Sequence, residues 1–407
     1  MDFFNQILTT INFILNFFSS IHVFIIILIL IFIYQILLIY VRDKKYVEAF
    51  NSHKDPEISS RDNLDEFPLV NIIVPAWNES ERFRECLLSI TKLKYPKIKA
   101  IINAGGSDET LNIANSFKNN KNFIILNQKG GGKIKALNEC LPHVTEGILY
   151  LVDADVYFTD EIIIRMVYPI VNTIEDVVVG RIRPLKAQEN KDLVKYLLIN
   201  RNLYFRVKFT RYDTHALSGA NTCLKLKVMK DINKFTERKY WAEDKSRGAD
   251  VLAKGFKIYR LTDYRARLFS EFPNSIRTWL PQRIRWRENH MLYSFKQKKL
   301  TILKFIVVFL ISLYLVLFPI LVFLHISLLF FGLFIYSYLY LLKIRRLIFF
   351  KKTTNEEFLQ KYTVLFYLKL ILYSYIEILT NIIVFFDLLL FRKNYKRRKN
   401  LLTFEEI

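Results

Sequence analysis

Gly147-Ile148-Leu149-Tyr150-Leu151-Val152-Asp153-Ala154-Asp155 is a short apolar run that opens on glycine and ends on two carboxylates. A run of this length, bounded by a turn former and by polar residues, predicts a strand buried on both faces. Working outward, the same signal recurs. Leu69–Val74 is apolar and is expected to stop at Pro75, Ile98–Ile102 is expected to end at Gly105-Gly106, and Phe123–Leu126 makes a further strand. Helical spacing fills the gaps. Residues 80–93 place Phe83, Leu87, Leu88 and Ile90 on one face, Asp108–Phe117 reads as a helix, and Lys133–Leu141 places Ile134, Leu137 and Leu141 together. Strand-helix alternation predicts an α/β fold, a mostly parallel sheet with helices on both faces. Ligands of such sheets bind at the carboxyl ends of the strands. Pro75, Gly105-Gly106 and Asp153-Ala154-Asp155 all fall there.

The flanks are of another kind. Hydrophobic residues make up 52% of the 407 and aromatics 15%, high values for a chain that is also 24% charged. The excesses separate along the sequence. Residues 21–41 carry no formal charge, enough for one spanning helix. The run is too long for a cleaved signal peptide and no basic region precedes it. Residues 7–18 read as an interfacial helix or an extension of that span. Residues 302–342 hold one charge, Lys304, and predict two tightly joined spans with Pro319 or His325 near the turn. Residues 362–391, interrupted by Lys369, Glu377 and Asp387, predict one tilted span. The expected organisation is a membrane anchor over 1–45, a globular domain over 46–300, and a membrane region with a basic tail over 301–407.

Formal net charge is +22, and much of it flanks the apolar blocks: Arg42, Lys44 and Lys45; Lys343, Arg345, Arg346, Lys351 and Lys352; Arg392, Lys393 and Lys396–Lys399. That distribution is a cytoplasmic membrane-boundary signature. No nucleic-acid motif accompanies it, so nucleic acid is not an expected partner. One span before the globular domain and three after it would put the basic tail on the opposite side, against the same tendency. Either the last block does not fully cross or the tail is an exception. Cys86, Cys140 and Cys223 are too widely spaced for a disulfide framework or a zinc cluster.

Four constellations carry chemistry. Asp153 and Asp155 are one residue apart after a buried strand, where hard carboxylate oxygens suit Mg²⁺ or Mn²⁺ shared with a substrate phosphate; two solvated acids at a turn would look the same. Gly130-Gly131-Gly132-Lys133 opens a helix, so backbone amides and a lysine can meet an anion. Its spacing is not that of a P-loop. Glu243-Asp244 offers a carboxylate that can take a proton from a hydroxyl, or simply favourable charge at a helix start. Gln282-Arg283-Ile284-Arg285-Trp286 combines guanidinium forks for diphosphate with an indole face, or forms an interfacial helix.

In this order and spacing the set resembles the family-two glycosyltransferases, in particular membrane synthases of the hyaluronan, cellulose, chitin-oligosaccharide and poly-N-acetylglucosamine type. The resemblance covers residues 69–290 and the membrane layout. Val74-Pro75-Ala76-Trp77-Asn78-Glu79 is similar to the opening strand motif, which usually has Tyr in place of Trp77. Gly105-Gly106-Ser107-Asp108 is similar to the second nucleotide turn, and Lys133 with Ala136-Leu137-Asn138 to the next segment. Asp153 and Asp155 match the metal motif, Ser218-Gly219-Ala220 the sugar and acceptor segment, Asp244 the general base, and Gln282, Arg285 and Trp286 the QxxRW motif.

The resemblance implies a GT-A fold and a membrane-bound, inverting transfer of sugar from a nucleotide-sugar donor, with UDP favoured. It implies a Mg or Mn cation on Asp155 and Asp153. Pro75, Asn78, Glu79, Asn103, Asp108, Lys133 and Asp153 are expected on the donor, and Ser218, Gly219, Gln282, Arg283, Arg285 and Trp286 on acceptor or diphosphate. The expected acceptor is a glycan hydroxyl, with processive synthesis in view. The alternatives are a single addition to a lipid and a catalytically silent scaffold that binds nucleotide-sugar. Localisation is expected at the cell membrane with the catalytic domain cytoplasmic. One departure stands out. Where the family usually has two acids before Gly105, this chain has Asn103-Ala104.

Overall fold

The computed structural model describes residues 20–52, 64–202, 212–213, 216–238, 242–296, 302–321, 323–354 and 356–390, with short stretches before residue 20. Helix α1 (Ile21–Leu37) continues through a π-helical turn, Leu38–Asp43, into α2 (Lys44–Ser52). Then come β1 (Val70–Trp77), α3 (Ser80–Thr91), β2 (Ile98–Gly105), α4 (Thr110–Asn115), β3 (Phe123–Asn127), α5 (Gly132–Cys140) and β4 (Ile148–Val152). The chain goes on through β5 (Val156–Tyr157), α6 (Asp160–Val171), β6 (Val177–Val179), β7 (Ile182–Pro184), α7 (Asp192–Asn202), β8 (Tyr212–Asp213) and β9 (Asn221–Lys225). It continues with α8 (Leu226–Ile232), α9 (Glu243–Ala253), β10 (Ile258–Arg260) and β11 (Leu268–Ser270). It closes with α10 (Ile276–Lys296), α11 (Ile302–Leu321), α12 (Ile326–Thr353) and α13 (Val364–Leu390).

Two compact units result. The first is built on an eight-stranded sheet of order β3-β2-β1-β4-β9-β6-β10-β8, beside a three-stranded sheet β5-β11-β7. The strands from β3 to β4 run parallel, as do β6 and β10, while β9 runs antiparallel between β4 and β6. Side-chain alternation builds a core on each face. Ile72, Val74 and Ala76 pack with Phe83 and Leu87 of α3, Ile113 of α4 and Ile163 and Val167 of α6. On the other face, Ile73 and Ile101 pack with Ile134 and Leu137 of α5, Val228 of α8 and Val251 of α9. Full burial of each of the larger of these side chains contributes about 1.5–3 kcal/mol, so the sheet is held from both sides.

The reversed strand matters for position. Val152 pairs with Asn221, so Ser218-Gly219-Ala220, just before β9, lies at the carboxyl end of β4. Pro75 does not end β1 as expected. The strand continues to Trp77, with Pro75 in register with Asn103. Beyond Ile73 the β1–β4 pairing has stopped, so the missing N–H there leaves no ladder bond unmade.

The second unit gathers the apolar helices, and α7 and the whole of α10 group with α1, α2 and α11–α13. Polar and aromatic contacts explain it. Lys343 Nζ donates to Tyr196 OH (3.0 Å), Asn200 Oδ1 (2.8 Å) and Glu377 Oε2 (3.0 Å), and Lys369 Nζ to Asp192 Oδ2 (2.6 Å). Buried Trp279 of α10 meets Tyr196 and Tyr373 edge-on. Lys343 and Arg345, read from sequence as boundary surface charges, are buried. Arg345 is paired with Asp43 (2.8 Å) and Gln35 (2.9 Å), joining α12 to the first helix. Four helices, Ile21–Ser52, Leu303–Leu321, Ile326–Thr353 and Val364–Leu388, are long and apolar enough to cross a membrane. His325 caps α12 at the expected turn, its Nδ1 accepting from Ser327 N. The basic tail at 392–399 lies outside the described residues.

Candidate active site

The loops after β1 and β2 are laced together by their own polar side chains. Asn78 adopts φ 56°, its N–H donates to Gly105 O (3.3 Å) and its Oδ1 accepts from Ser107 N (2.8 Å). Gly106, at φ 123°, has no room for a Cβ, which would run into that Asn78 oxygen. Glu79 N donates to Thr110 Oγ1 (2.8 Å), and Thr110 N to Asp108 Oδ1 (3.0 Å). Asn78 and Asp108 thus shape the two strand-end turns and hold Glu79 between them.

Two expected donor contacts are placed elsewhere. Pro75 is buried inside β1. Asn103 is fully buried, and its amide nitrogen donates to Ala136 O (3.1 Å) and Glu139 Oε2 (2.7 Å) of α5. Alternation puts residue 103 on the α5 face of β2, away from the loops. The departure from an acidic pair then has a local reason: a carboxylate there would face a carbonyl and Glu139, with nothing to donate.

Lys133 is the hub of the site. Gly131 and Gly132, at φ 96° and 84°, turn the chain into α5, and Lys133 follows in its first turn. Its Nζ makes a short ion pair with Asp153, reaches Glu243 Oε1 at 3.0 Å and donates to Gly219 O at 3.3 Å. One side chain therefore joins α5, the end of β4, the start of α9 and the segment before β9. Burial works against its charge, but Asp153 and Glu243 hold it up at about 12.

Carboxylates crowd the other side. Burial, with Asp155 and Asp153 behind it, pushes Glu79 up to about 7, against the pull of Arg82 and Lys133. Asp155 is likewise raised, by burial and then by Asp153. It accepts from Ser270 Oγ at 3.4 Å, and the β5–β11 pairing next to it sets Val156 opposite Ser270. Among the described residues no cluster of three or more His, Cys, Asp or Glu side chains forms a closed cage. A hard cation shared with substrate phosphates needs only one or two carboxylates, so Asp155 and Asp153 fit such a cation.

Helix α9 presents the acid pair. Glu243 and Asp244 lie in its first turn. Asp244 O accepts from Leu217 N (3.1 Å), its Oδ1 accepts from Lys245 N (2.8 Å), and burial raises its carboxyl above the usual range. The helix is seated against the 216–217 backbone through Gly248, where a Cβ would lie 2.7 Å from Ala216 Cα. Gly248→Ala must therefore push α9 and its acids away. The expected result is a loss of about 1–3 kcal/mol in unfolding free energy together with reduced turnover, read by denaturant unfolding and by transfer assay.

Sequence reading placed Glu243 beside the base but missed its ion pair with Lys133, since the two lie far apart in the chain and no local pattern links them. It also missed Arg247 and Ser270. In the helical unit, α10 places Gln282, Arg285 and Trp286 at i, i+3 and i+4, and Arg285 and Trp286 are exposed. Arg283 turns elsewhere, its Nη2 donating to Glu377 Oε1 at 2.9 Å.

A mixed sheet with one strand reversed beside β4, acids at its carboxyl edge and apolar helices at both ends of the chain is a GT-A-like architecture. The chain carries glycosyl transferase family 2 domains: residues 71–232 match the model described as Glycosyl transferase family 2, and residues 193–385 that described as Glycosyl transferase family group 2. It is 24% identical over 239 residues to "Probable glycosyltransferase YdaM" of Bacillus subtilis, covering 56% of each chain. It is 32% identical over 108 residues to the poly-beta-1,6-N-acetyl-D-glucosamine synthase of Staphylococcus aureus, 26% of this chain and 25% of the relative. The match thus spans about half the length of the first relative and a quarter of the second. Among solved structures, the mannosyltransferase PcManGT from Pyrobaculum calidifontis, in complex with GDP-Man and Mn²⁺, shares the fold: TM-score 0.51, 16% identity, 88% of this chain and 98% of that one.

Proposed function

We propose that this protein is a membrane-bound inverting glycosyltransferase that moves a sugar from a nucleotide diphosphate donor, with UDP-sugar favoured, to an acceptor hydroxyl. The observation that carries the reading is the Lys133 hub, which ties the metal-type acids at the end of β4 to the acid pair opening α9. Asp244 takes the proton of the acceptor hydroxyl. The oxygen attacks the anomeric carbon as the bond to the diphosphate breaks, and the nucleotide diphosphate leaves with inversion. Mg²⁺ or Mn²⁺ held by Asp155 and Asp153 would neutralise charge on that leaving group. Lys133 adds positive charge beside Asp153. On the same reading Gln282, Arg285 and Trp286 keep the acceptor and phosphate roles that the family resemblance implies.

The acceptor is a growing glycan, in keeping with the polysaccharide synthase among the relatives. The sheet unit is assigned to the cytoplasmic side of the cell membrane, where nucleotide-sugars are made. The test is a mass-spectrometric screen of nucleotide-sugars with the purified protein, lipid and Mn²⁺ or Mg²⁺. A ladder of products is expected from one donor. A single sugar on lipid would replace processive synthesis with one addition. Donor binding without any product would leave a silent scaffold.

A further inference from the structure

Among the described residues of the sheet unit, Arg247 is the one large cationic side chain that the fold buries completely, with no exposed surface at all. None of its three guanidinium nitrogens has a hydrogen-bond partner among the described residues. The Phe235 ring lies 5.9 Å from the guanidinium carbon, the outer limit of a cation–π contact. Several buried or half-buried arginines of the unit are tied to acids. Arg165 meets Asp263 (2.6 Å) and Glu161 (2.9 Å), and Arg238 meets Asp250 (2.6 Å). Leaving a charged donor buried and unmatched is costly. A fold that accepts the cost at one position invites the question of what the charge acts on.

Position answers it. Arg247 lies three residues after Asp244 and four after Glu243, so it shares their face of α9, one turn behind them. That turn is clamped: Gly248 sits against Ala216, and Leu217 N holds Asp244 O. The guanidinium has little freedom to move off. We propose that Arg247 is a positioning residue whose buried, unmatched charge keeps the Asp244 carboxylate ionised and ready to accept the acceptor's proton. This rests on the reading of Asp244 as the base.

The other charges around Asp244 do not do the job. On its own helix Glu243 opposes ionisation, and Lys245 favours it from a partly exposed position. Lys133 of α5 is spent on Glu243 and Asp153. From the α8–α9 connection, Arg238 is spent on Asp250 and Ser246. The 216–220 segment packed on the start of α9 carries no charge. Among the described residues, Arg247 is the cation left to counter the desolvation of Asp244.

The test compares Arg247→Met and Arg247→Lys by pH profile of kcat/KM, with Asp244→Asn alongside. Without the buried cation, Asp244 should hold its proton to higher pH. The acid limb of Arg247→Met is expected to move up by roughly one pH unit, with activity recovering towards the parent at high pH and KM for donor unchanged. Arg247→Lys should bring the limb back. Thermal unfolding of Arg247→Met should be unchanged or raised, because an unmatched buried charge has been replaced by an apolar chain. An acid limb that stays in place, or a raised donor KM with no change in limb, overturns the assignment; the second would make Arg247 a donor contact. A marked loss of stability in Arg247→Met would make it structural and overturn it too. If Asp244→Asn keeps full transfer, the base reading itself fails, and that outcome is separate from the limb position.

Discussion

Asp244→Asn is expected to lower kcat/KM for transfer by about 10²–10⁴-fold, the usual contribution of a positioned general base, while donor affinity stays within a few fold. The amide keeps the size of the carboxylate and can still accept from Lys245 N, so α9 should stay in place. What it loses is the ability to take a proton. Burial raises the carboxyl of Asp244, and the base must be ionised, so activity of the parent should fall as pH drops through that raised value. The variant's residual activity should lack that acid limb. Single-turnover assays with donor-binding calorimetry separate the two effects. Parent-like turnover in the variant would remove Asp244 from the role.

Asp155→Ala should be nearly as damaging, through the cation rather than the proton. Loss of a metal's charge stabilisation costs several kcal/mol at the transition state, on the order of 10²–10³-fold in rate. The expected pattern is reduced activity at every Mn²⁺ or Mg²⁺ concentration, with weakened metal-dependent donor binding. Stability should move the other way. Glu79 is raised from 4.5 to about 7 by burial and by its acidic neighbours, so its ionised form costs the folded state. That stability contribution is present at low pH and lost as pH rises through about 7. Removing Asp155 relieves the crowding, and the unfolding temperature at neutral pH should hold or rise. A variant that is inactive because it is unfolded would contradict this.

Much of this protein was legible in order along the chain. Buried strands announce themselves by short apolar runs, so β1 to β4 and the helices between them follow from local spacing. Asp153 and Asp155 follow from where one run ends. The four long apolar helices follow from length and composition alone, because a bilayer demands both. Glycine turns at Gly105-Gly106 and Gly131-Gly132 were readable for the same local reason.

What lay beyond the sequence concerns partners far apart in it. Asn103 looks like a nucleotide contact, and only the pleat of β2 against α5 turns it inward. Lys343 and Arg345 look like boundary charges, and only helix packing gives them Glu377 and Asp43. Strand order, with β9 reversed beside β4, brings Gly219 and Glu243 to Lys133. Periodicity is a property of neighbours in the chain, so it reveals elements and their faces. Pairing of charges, and the cost of leaving Arg247 without a partner, depends on separations of a few ångströms between residues remote in sequence. Those separations exist only once the sheet and its helices have packed.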